Sequence, residues 1–329
     1  MRKIIIADPD LNYALKLQAK FFQKMQDSIE VEIISENKII KNFFKTPQTA
    51  TCLLINETWM PSNIERQNIE NIFTLTEQES KEATSISRYS STEEIYNKIR
   101  NAIGTDTRAL TKEDCSVILF KSAMGGTGKT VLSLALAEYL SKKYYRVLYV
   151  NTQTMQMFQY YMKDQSPISS DVSMTLQFEK NFFEKLKKQI RKENFSYLPP
   201  FAMPLYAYNV NTRIYTNFIK NAKESKDFDY IIVDGDDDMD NNTISQIALA
   251  DKILMISLAG EEYKFATNQL LKKISLKENK VIKICNRMSE NEPLEDFDEG
   301  IYEWHKIDKE SIHAFAETNS MQRIAVLIS

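Results

Sequence analysis

Three of the chain's seven glycines, Gly125, Gly126 and Gly128, crowd together and run directly into Lys129 and Thr130. Glycine adopts backbone conformations that let successive N–H groups converge on one point, and a ring of such donors binds an anion. A lysine at that ring offsets phosphate charge, and a threonine hydroxyl ligates Mg2+. The strict pattern GxxxxGK[ST] has glycine where this chain has Ala123. A purely structural glycine turn is the competing reading; an apolar strand before the loop and a helix after it favour the phosphate site. A metal-bound nucleotide also needs a carboxylate at the end of a neighbouring strand, and the run FDYIIVD ends in Asp234. Thr130 and Asp234 are the expected metal ligands, and ATP or ADP with Mg2+ the expected cofactor. Asp236, Asp237, Asp238 and Asp240 follow at once. Between a second cation site and an exposed acidic loop, the loop is the preferred reading.

Hydrophobic periodicity supplies the elements that must position these groups. A strand at Cys115–Phe120 leads into the glycine loop. The helix from Lys129 then places Leu132, Leu136 and Leu140 on one face. Further strands at Val147–Val150, Tyr230–Val233, Ile253–Ile256 and Val281–Cys285 make a larger α/β domain over 115–329. It is interrupted by the irregular stretch YLPPFAMPLYAYN. Upstream, Ile4–Ala7, Val31–Ile34, Cys52–Ile55, Ile72–Leu75 and Ser85–Ser87 read as strands between helical stretches. The last of these helices opens on the capping box Ser91 to Glu94. Five βα units predict a small doubly wound sheet over 1–104, with a polar linker at 105–114.

Hydrophobic residues make up 43% and charged residues 26%, with no apolar run long enough to span a membrane. The opening MRKIIIADPD meets acid too early for a signal-peptide core. Cys52, Cys115 and Cys285 sit singly in apolar runs and read as buried reduced thiols, which predicts the cytoplasm. With two His and three Cys, a zinc site is not expected, and a net charge of −3 argues against a general nucleic-acid surface. Neither His305 nor His313 belongs to a catalytic constellation. Phe178, Phe182, Leu186 and Ile190 recur every fourth position among Lys180, Lys185, Lys187, Lys188, Arg191 and Lys192, predicting a basic amphipathic helix. Packing on its own domain is preferred to contact with anionic lipid.

The GGTGKT loop before a helix, the YIIVD strand and the late strand ending Cys285, Asn286, Arg287 resemble the MinD/ParA family of deviant Walker-A ATPases, from 115 to about 310. The resemblance implies that Met124, Gly125, Gly126, Thr127, Gly128, Lys129 and Thr130 line the nucleotide. It also implies that Asn286, followed by Arg287, hydrogen-bonds the adenine edge; an asparagine that simply ends a strand is the alternative. The family's signature lysine, which reaches the partner's phosphates across an ATP-bridged dimer, is replaced by Met124. Where the family has aspartates after its second strand, this chain has Asn151, Thr152 and Gln153, and 156–162 offer no water-orienting carboxylate. No catalytic residue can be named. The implied protein is a nucleotide-dependent switch or scaffold with weak or absent hydrolysis.

In the first domain, Asp8 and Asp10 after one strand and NETWMP after another look like a response-regulator receiver, a flavodoxin-like fold. The family's phosphate-accepting aspartate lies four residues before the proline, and counting back from Pro61 gives Glu57. Arg88 stands in place of the family's late lysine. A pseudo-receiver used for docking is implied; a plain α/β domain is the competing reading. A receiver-like domain ahead of a MinD-type ATPase resembles the layout of the CpaE/TadZ family, which positions and assembles Tad/Flp pilus machinery. That resemblance implies a homodimer and partners among the protein components of a pilus or secretion machine. It further implies no specific nucleic acid, only indirect membrane association, and residence in the cytoplasm, at a cell pole or on the inner face of the membrane. Two alternatives remain beside it. One is an active ATPase or tyrosine kinase of the deviant Walker-A family, although residues 305–329 hold no tyrosine cluster. The other is a ParA-like partition ATPase.

Overall fold

Two units divide the chain, Met1–Glu113 and Asp114–Ser329. The computed structural model describes residues 2–25, 29–62, 64–78, 82–103, 115–176, 182–274, 280–289, 294, 296–302 and 311–328. The expected linker at 105–114 lies outside them.

In the first unit, β1 (Arg2–Ala7), β2 (Ile29–Ile34), β3 (Thr49–Asn56), β4 (Asn68–Thr76) and β5 (Ser85–Ser87) form a parallel sheet in the order β2-β1-β3-β4-β5. This is a doubly wound order with its reversal between β1 and β3. Alternation along β1 sends Ile4 and Ile6 to one face, where Ala14, Leu17 and Phe21 of α1 (Leu11–Met25) and Ile95 and Ile99 of α3 (Thr92–Ala102) cover them. Ile5 and Ala7 face the other side and pack with Ile40 of α2 (Asn37–Phe43) and with Phe44. The capping box forms at α3: Ser91 Oγ accepts from the Glu94 amide at 3.1 Å and Glu94 Oε2 from the Ser91 amide at 3.2 Å.

Five strands are present, but not five βα units. Short 3-10 turns, Glu57–Trp59 and Ile64–Arg66, join β3 to β4, and Trp59 and Ile64 pack on the sheet where a helix was expected. Between β4 and β5 no helix occurs among the described residues. The reason is composition: Pro61 breaks the first connection, and the second, EQESKEAT, has only Ala83 to bury.

The second unit is built on five parallel strands, β6 (Ser116–Lys121), β7 (Val147–Asn151), β10 (Tyr230–Asp234), β11 (Lys252–Leu258) and β12 (Val281–Asn286). The full order is β13-β12-β11-β6-β10-β7-β9-β8, where β8 (Arg191–Lys192), β9 (Ser196–Tyr197) and β13 (Glu299–Gly300) are short edge strands that periodicity does not announce. Among the described residues only the β8 and β9 pair is antiparallel. Leu132, Leu136 and Leu140 of α4 (Lys129–Lys142) are buried as the spacing predicts, and so are Val131, Leu134, Ala135 and Ala137. This helix is covered on both sides, because α10 (Ser311–Ala316) and α11 (Asn319–Ile328) pack over it. Met321, Ile324 and Ile328 put the apolar face of α11 into the same core. On the other side of the sheet lie α7 (Arg213–Ser225), α8 (Asn241–Leu249) and α9 (Glu261–Ile274). They contribute Phe218, Ile219, Ile247 and Leu270.

The expected basic helix ends early. After α5 (Ser170–Thr175), α6 (Phe182–Lys187) stops at Lys187, and Arg191 and Lys192 belong to β8; Phe178 and Lys180 lie outside the described residues. Lys187 pairs with Asp227 at 2.6 Å and Arg191 with Asp164 at 3.2 Å, so these cations are held by their own unit. Among the described residues no helix is long and apolar enough to cross a membrane. Cys52, Cys115 and Cys285 are free and buried.

Leu136 is wholly buried at the centre of this packing. Leu136→Ala should therefore destabilise the chain by about 2–5 kcal/mol, read as a lower urea midpoint in circular dichroism, whereas a surface helix would lose well under 1 kcal/mol.

Candidate functional site

Adjacent strands β7, β10 and β6 end side by side, and the carboxyl ends of parallel strands are where open α/β sheets bind ligands. The loop from β6 into α4 carries the glycine motif, with Gly126 and Gly128 at φ of 76° and 90°. A Cβ on Gly128 would lie 2.5 Å from Asn286 Nδ2, so glycine is what lets the loop press against the end of β12. Ala123, at the motif's missing glycine, packs partly buried on the core of the α7 face. Met124 is exposed at the rim of the loop, its carbonyl accepting from Ser122 Oγ at 2.9 Å.

Asp234, at the end of β10, is fully buried. Its Oδ2 accepts from Thr130 Oγ1 at 2.7 Å, Asn151 Nδ2 at 2.8 Å and Tyr149 OH at 3.0 Å, and its Oδ1 accepts from Gln153 Nε2 at 3.0 Å. Burial pushes its pKa above the ordinary carboxylate value, against the pull of these donors and of Lys129. The Tyr149 hydroxyl is likewise raised, by burial and by the neighbouring Asp234. Gly235 follows, with its amide 3.1 Å from the Phe120 carbonyl; a Cβ there would come within 2.9 Å of the same oxygen.

The acidic run after Gly235 is attached at several points. Lys121, wholly buried at the end of β6, donates to the Asp236 carbonyl and to the Asp238 carbonyl at 2.8 Å. Burial lowers its pKa to about 8. The Asp236 carboxylate accepts from the Thr154 amide at 2.8 Å and hydroxyl at 2.9 Å. Although burial opposes it, those donors hold Asp236 below the ordinary carboxylate range. Asp237 pairs with Lys129 and accepts from Ser122 Oγ at 2.9 Å, while Asp240 caps α8 through the amides of Asn242 and Thr243. Asp237, Asp238 and Asp240 are exposed, as the preferred reading expects, yet three of the four carboxylates also have partners of their own. Among the described residues no group of three His, Cys, Asp or Glu is arranged to hold a metal.

The residues present fit a Mg2+-nucleotide. A hydroxyl and a carboxylate, Thr130 and Asp234, supply hard oxygen ligands. The buried Thr127 hydroxyl has no hydrogen-bond partner among the described residues, and a Cβ at Gly126 would meet nothing within 4 Å, which leaves room at the loop. Asn286, at the end of β12, lies against the loop. Its Nδ2 donates to the Thr127 carbonyl at 2.8 Å, which braces the glycine loop, and its Oδ1 accepts from the amide of its own neighbour Arg287 at 3.0 Å. Arg287 itself is exposed and left-handed, with φ of 56°.

Tyr149, Asn151, Gln153, Thr154 and Lys121 were not singled out as site residues by sequence reasoning. The available signal for Lys121 was a lysine ending the apolar strand SVILFK; for the amides it was their place just after β7. Beside them the Pro-rich stretch forms one wall of a 430 Å3 cleft, with Met155, Met157, Phe201, Met203 and Tyr206 among its lining. His313 Nδ1 lies 2.5 Å from the buried Glu138, away from this site; His305 is outside the described residues.

In the first unit, buried Asp8 meets Arg88 Nη2 at 2.8 Å and Asn56 Nδ2 at 3.1 Å. The Asn56 oxygen accepts from the Thr58 amide and hydroxyl, at 3.0 and 2.7 Å. Asn56, not Glu57, is thus the residue that faces Asp8 from the end of β3. Glu57 accepts instead from the Glu77 amide at 3.3 Å, and Asp10 from the Tyr13 amide in the first turn of α1 at 3.1 Å.

Residues 115–285 match the family described as AAA domain. No curated protein matches the chain. Among solved structures, the chain is similar to a ParA family ATPase from Chlorobium tepidum, at 18% identity and a TM-score of 0.48 over 64% of this chain and 93% of that one. It is similar to the septum site-determining protein MinD of Pyrococcus horikoshii complexed with Mg-ADP, at 19% identity and a TM-score of 0.47 over 65% and 94%. A plasmid partition protein of Borrelia burgdorferi bound to AMPPNP is 18% identical, with a TM-score of 0.43 over 65% and 98%.

The close approach of Gly128 to Asn286 generates a coupling. Gly128→Ala should cost about 1–3 kcal/mol of stability through positive φ and the collision. Because Asn286→Ala removes the collision, the double variant should be less destabilised than the sum of the two single variants; strict additivity in urea titrations would show that the two positions do not touch.

Proposed function

The chain belongs to the AAA domain family, and from that premise we propose that its second unit binds Mg2+-ATP or Mg2+-ADP and acts as a positioning or assembly switch of the MinD/ParA kind. The observation that carries the reading is the convergence of the glycine loop, Lys129, Thr130 and buried Asp234 at the ends of neighbouring strands. The loop amides donate to phosphate oxygens, Lys129 offsets their charge, and Thr130 and Asp234 hold the metal. Bound nucleotide supplies a charge that differs between its di- and triphosphate forms, which is what a switch reads. Hydrolysis is weak or absent: Asn151 at the end of β7 and Gln153 beyond it are amides that donate to Asp234, and Met124 brings no cation to the phosphates.

The first unit serves as a docking pseudo-receiver. Supporting this are its doubly wound strand order and the Arg88 guanidinium seated on Asp8, with an amide, Asn56, where a phosphate acceptor would stand. Together the two units suit a homodimeric scaffold of a Tad/Flp-type pilus or secretion machine, as in the CpaE/TadZ family, working in the cytoplasm at a pole or at the inner face of the membrane.

Calorimetry with Mg-ADP should give one site per chain, lost in Lys129→Ala and weakened when Mg2+ is chelated. Heats unchanged by Lys129→Ala would remove the loop from the site. Acetyl phosphate, in turn, should leave the chain's intact mass unchanged, because Asn56 offers no carboxylate and Glu57 points elsewhere. A phosphoryl adduct lost in Glu57→Ala would make the first unit a working receiver.

A further inference from the structure

Asp237 lies where a ligand's anion is expected. Its carboxylate pairs with Lys129 and accepts from Ser122 Oγ at 2.9 Å, while its Oδ2 is 3.7 Å from the position of a Cβ on Gly125. A carboxylate is a smaller, singly charged analogue of a phosphate face, and it has taken the loop's cation and one of its hydroxyls. The contact is built rather than incidental. On either side of Asp237, the Asp236 and Asp238 carbonyls are anchored to buried Lys121, and the Asp236 carboxylate is anchored to Thr154. These anchors come from the ends of β6 and β7, so the segment carrying Asp237 is strapped across the loop from two directions.

We propose that Asp237 is an intramolecular competitor for the nucleotide's phosphates, and that nucleotide binding requires its carboxylate to leave Lys129. The inference rests on the nucleotide reading above and adds a regulatory residue to that site. Two consequences follow from the linkage between the states. Apparent affinity is the intrinsic affinity multiplied by the fraction of molecules in which Asp237 is free of Lys129. Any partner that draws the 235–240 segment away will raise that affinity, at most by the reciprocal of that fraction.

Titration of the full chain with fluorescent mant-ADP, with and without Mg2+, tests this in Asp237→Asn and in a charge-matched control, Asp238→Asn, whose side chain is exposed on the same segment. Asp237→Asn should bind about three- to thirtyfold more tightly in both conditions, the range for losing a partly exposed charge-assisted contact, while Asp238→Asn should change little. Equal tightening in both variants would reduce the effect to general repulsion and overturn the proposal. Unchanged or weaker binding in Asp237→Asn, above all weakening only with Mg2+, would overturn it too, by making Asp237 a bystander or a metal-side ligand, and would leave the nucleotide reading intact. If neither the native chain nor Asp237→Asn binds mant-ADP, the nucleotide reading itself fails.

Discussion

Burying the Asp234 carboxylate at the end of a central parallel strand constrains nearly everything around it. A charged or polar group without partners in a dry interior costs several kcal/mol, so the strands beside β10 must present donors at the same height. They do so from both sides, with Thr130 on the helix after the glycine loop and Tyr149, Asn151 and Gln153 on and after β7. Once these donors are set, the loop's entry into α4 and the course of the chain after β7 have little freedom. Gly235 extends the same constraint, since only a residue without Cβ keeps the next turn against the Phe120 carbonyl.

The two units solve a similar electrostatic problem in different ways. In the first, the Arg88 guanidinium is placed directly on Asp8, and the neighbouring Asn56 donates to Asp8 and accepts from Thr58. There the balancing charge is built into the chain, on Arg88. In the second, the groups that balance Asp234 are neutral, and the nearby cation, Lys129, is held by a half-exposed carboxylate from a different loop. A contact of that kind is exchangeable, which is the property a ligand-gated site needs.

Much of this architecture was legible in the sequence. Apolar runs located all ten principal strands within a few residues, because parallel strands buried on both faces leave continuous hydrophobic signatures. The strand, glycine loop and helix, and the strand ending in Asp234, were likewise local patterns. What stayed hidden depended on contacts between residues distant in the chain. Asn151 and Gln153 look like absent aspartates until β7 is set beside β10, whereupon they become donors to Asp234. The contact of Asn286 with the Thr127 carbonyl appears only when β12 is set beside the glycine loop. Lys121 looks like the end of a strand until the 236–238 turn folds over it. That no α-helix occurs between β3 and β5 among the described residues has a local cause, Pro61 and the polar stretch after β4, which strand counting overlooks.

The central claim is that the glycine loop and the segment after Asp234 act together on a Mg2+-nucleotide. Amide hydrogen exchange of the full chain, with and without saturating Mg-ADP, tests it most directly. The account predicts slower exchange across residues 122–130 and faster exchange across 236–239, as loop amides gain phosphate partners and the acidic segment is released. Identical exchange in both segments with and without nucleotide would contradict it.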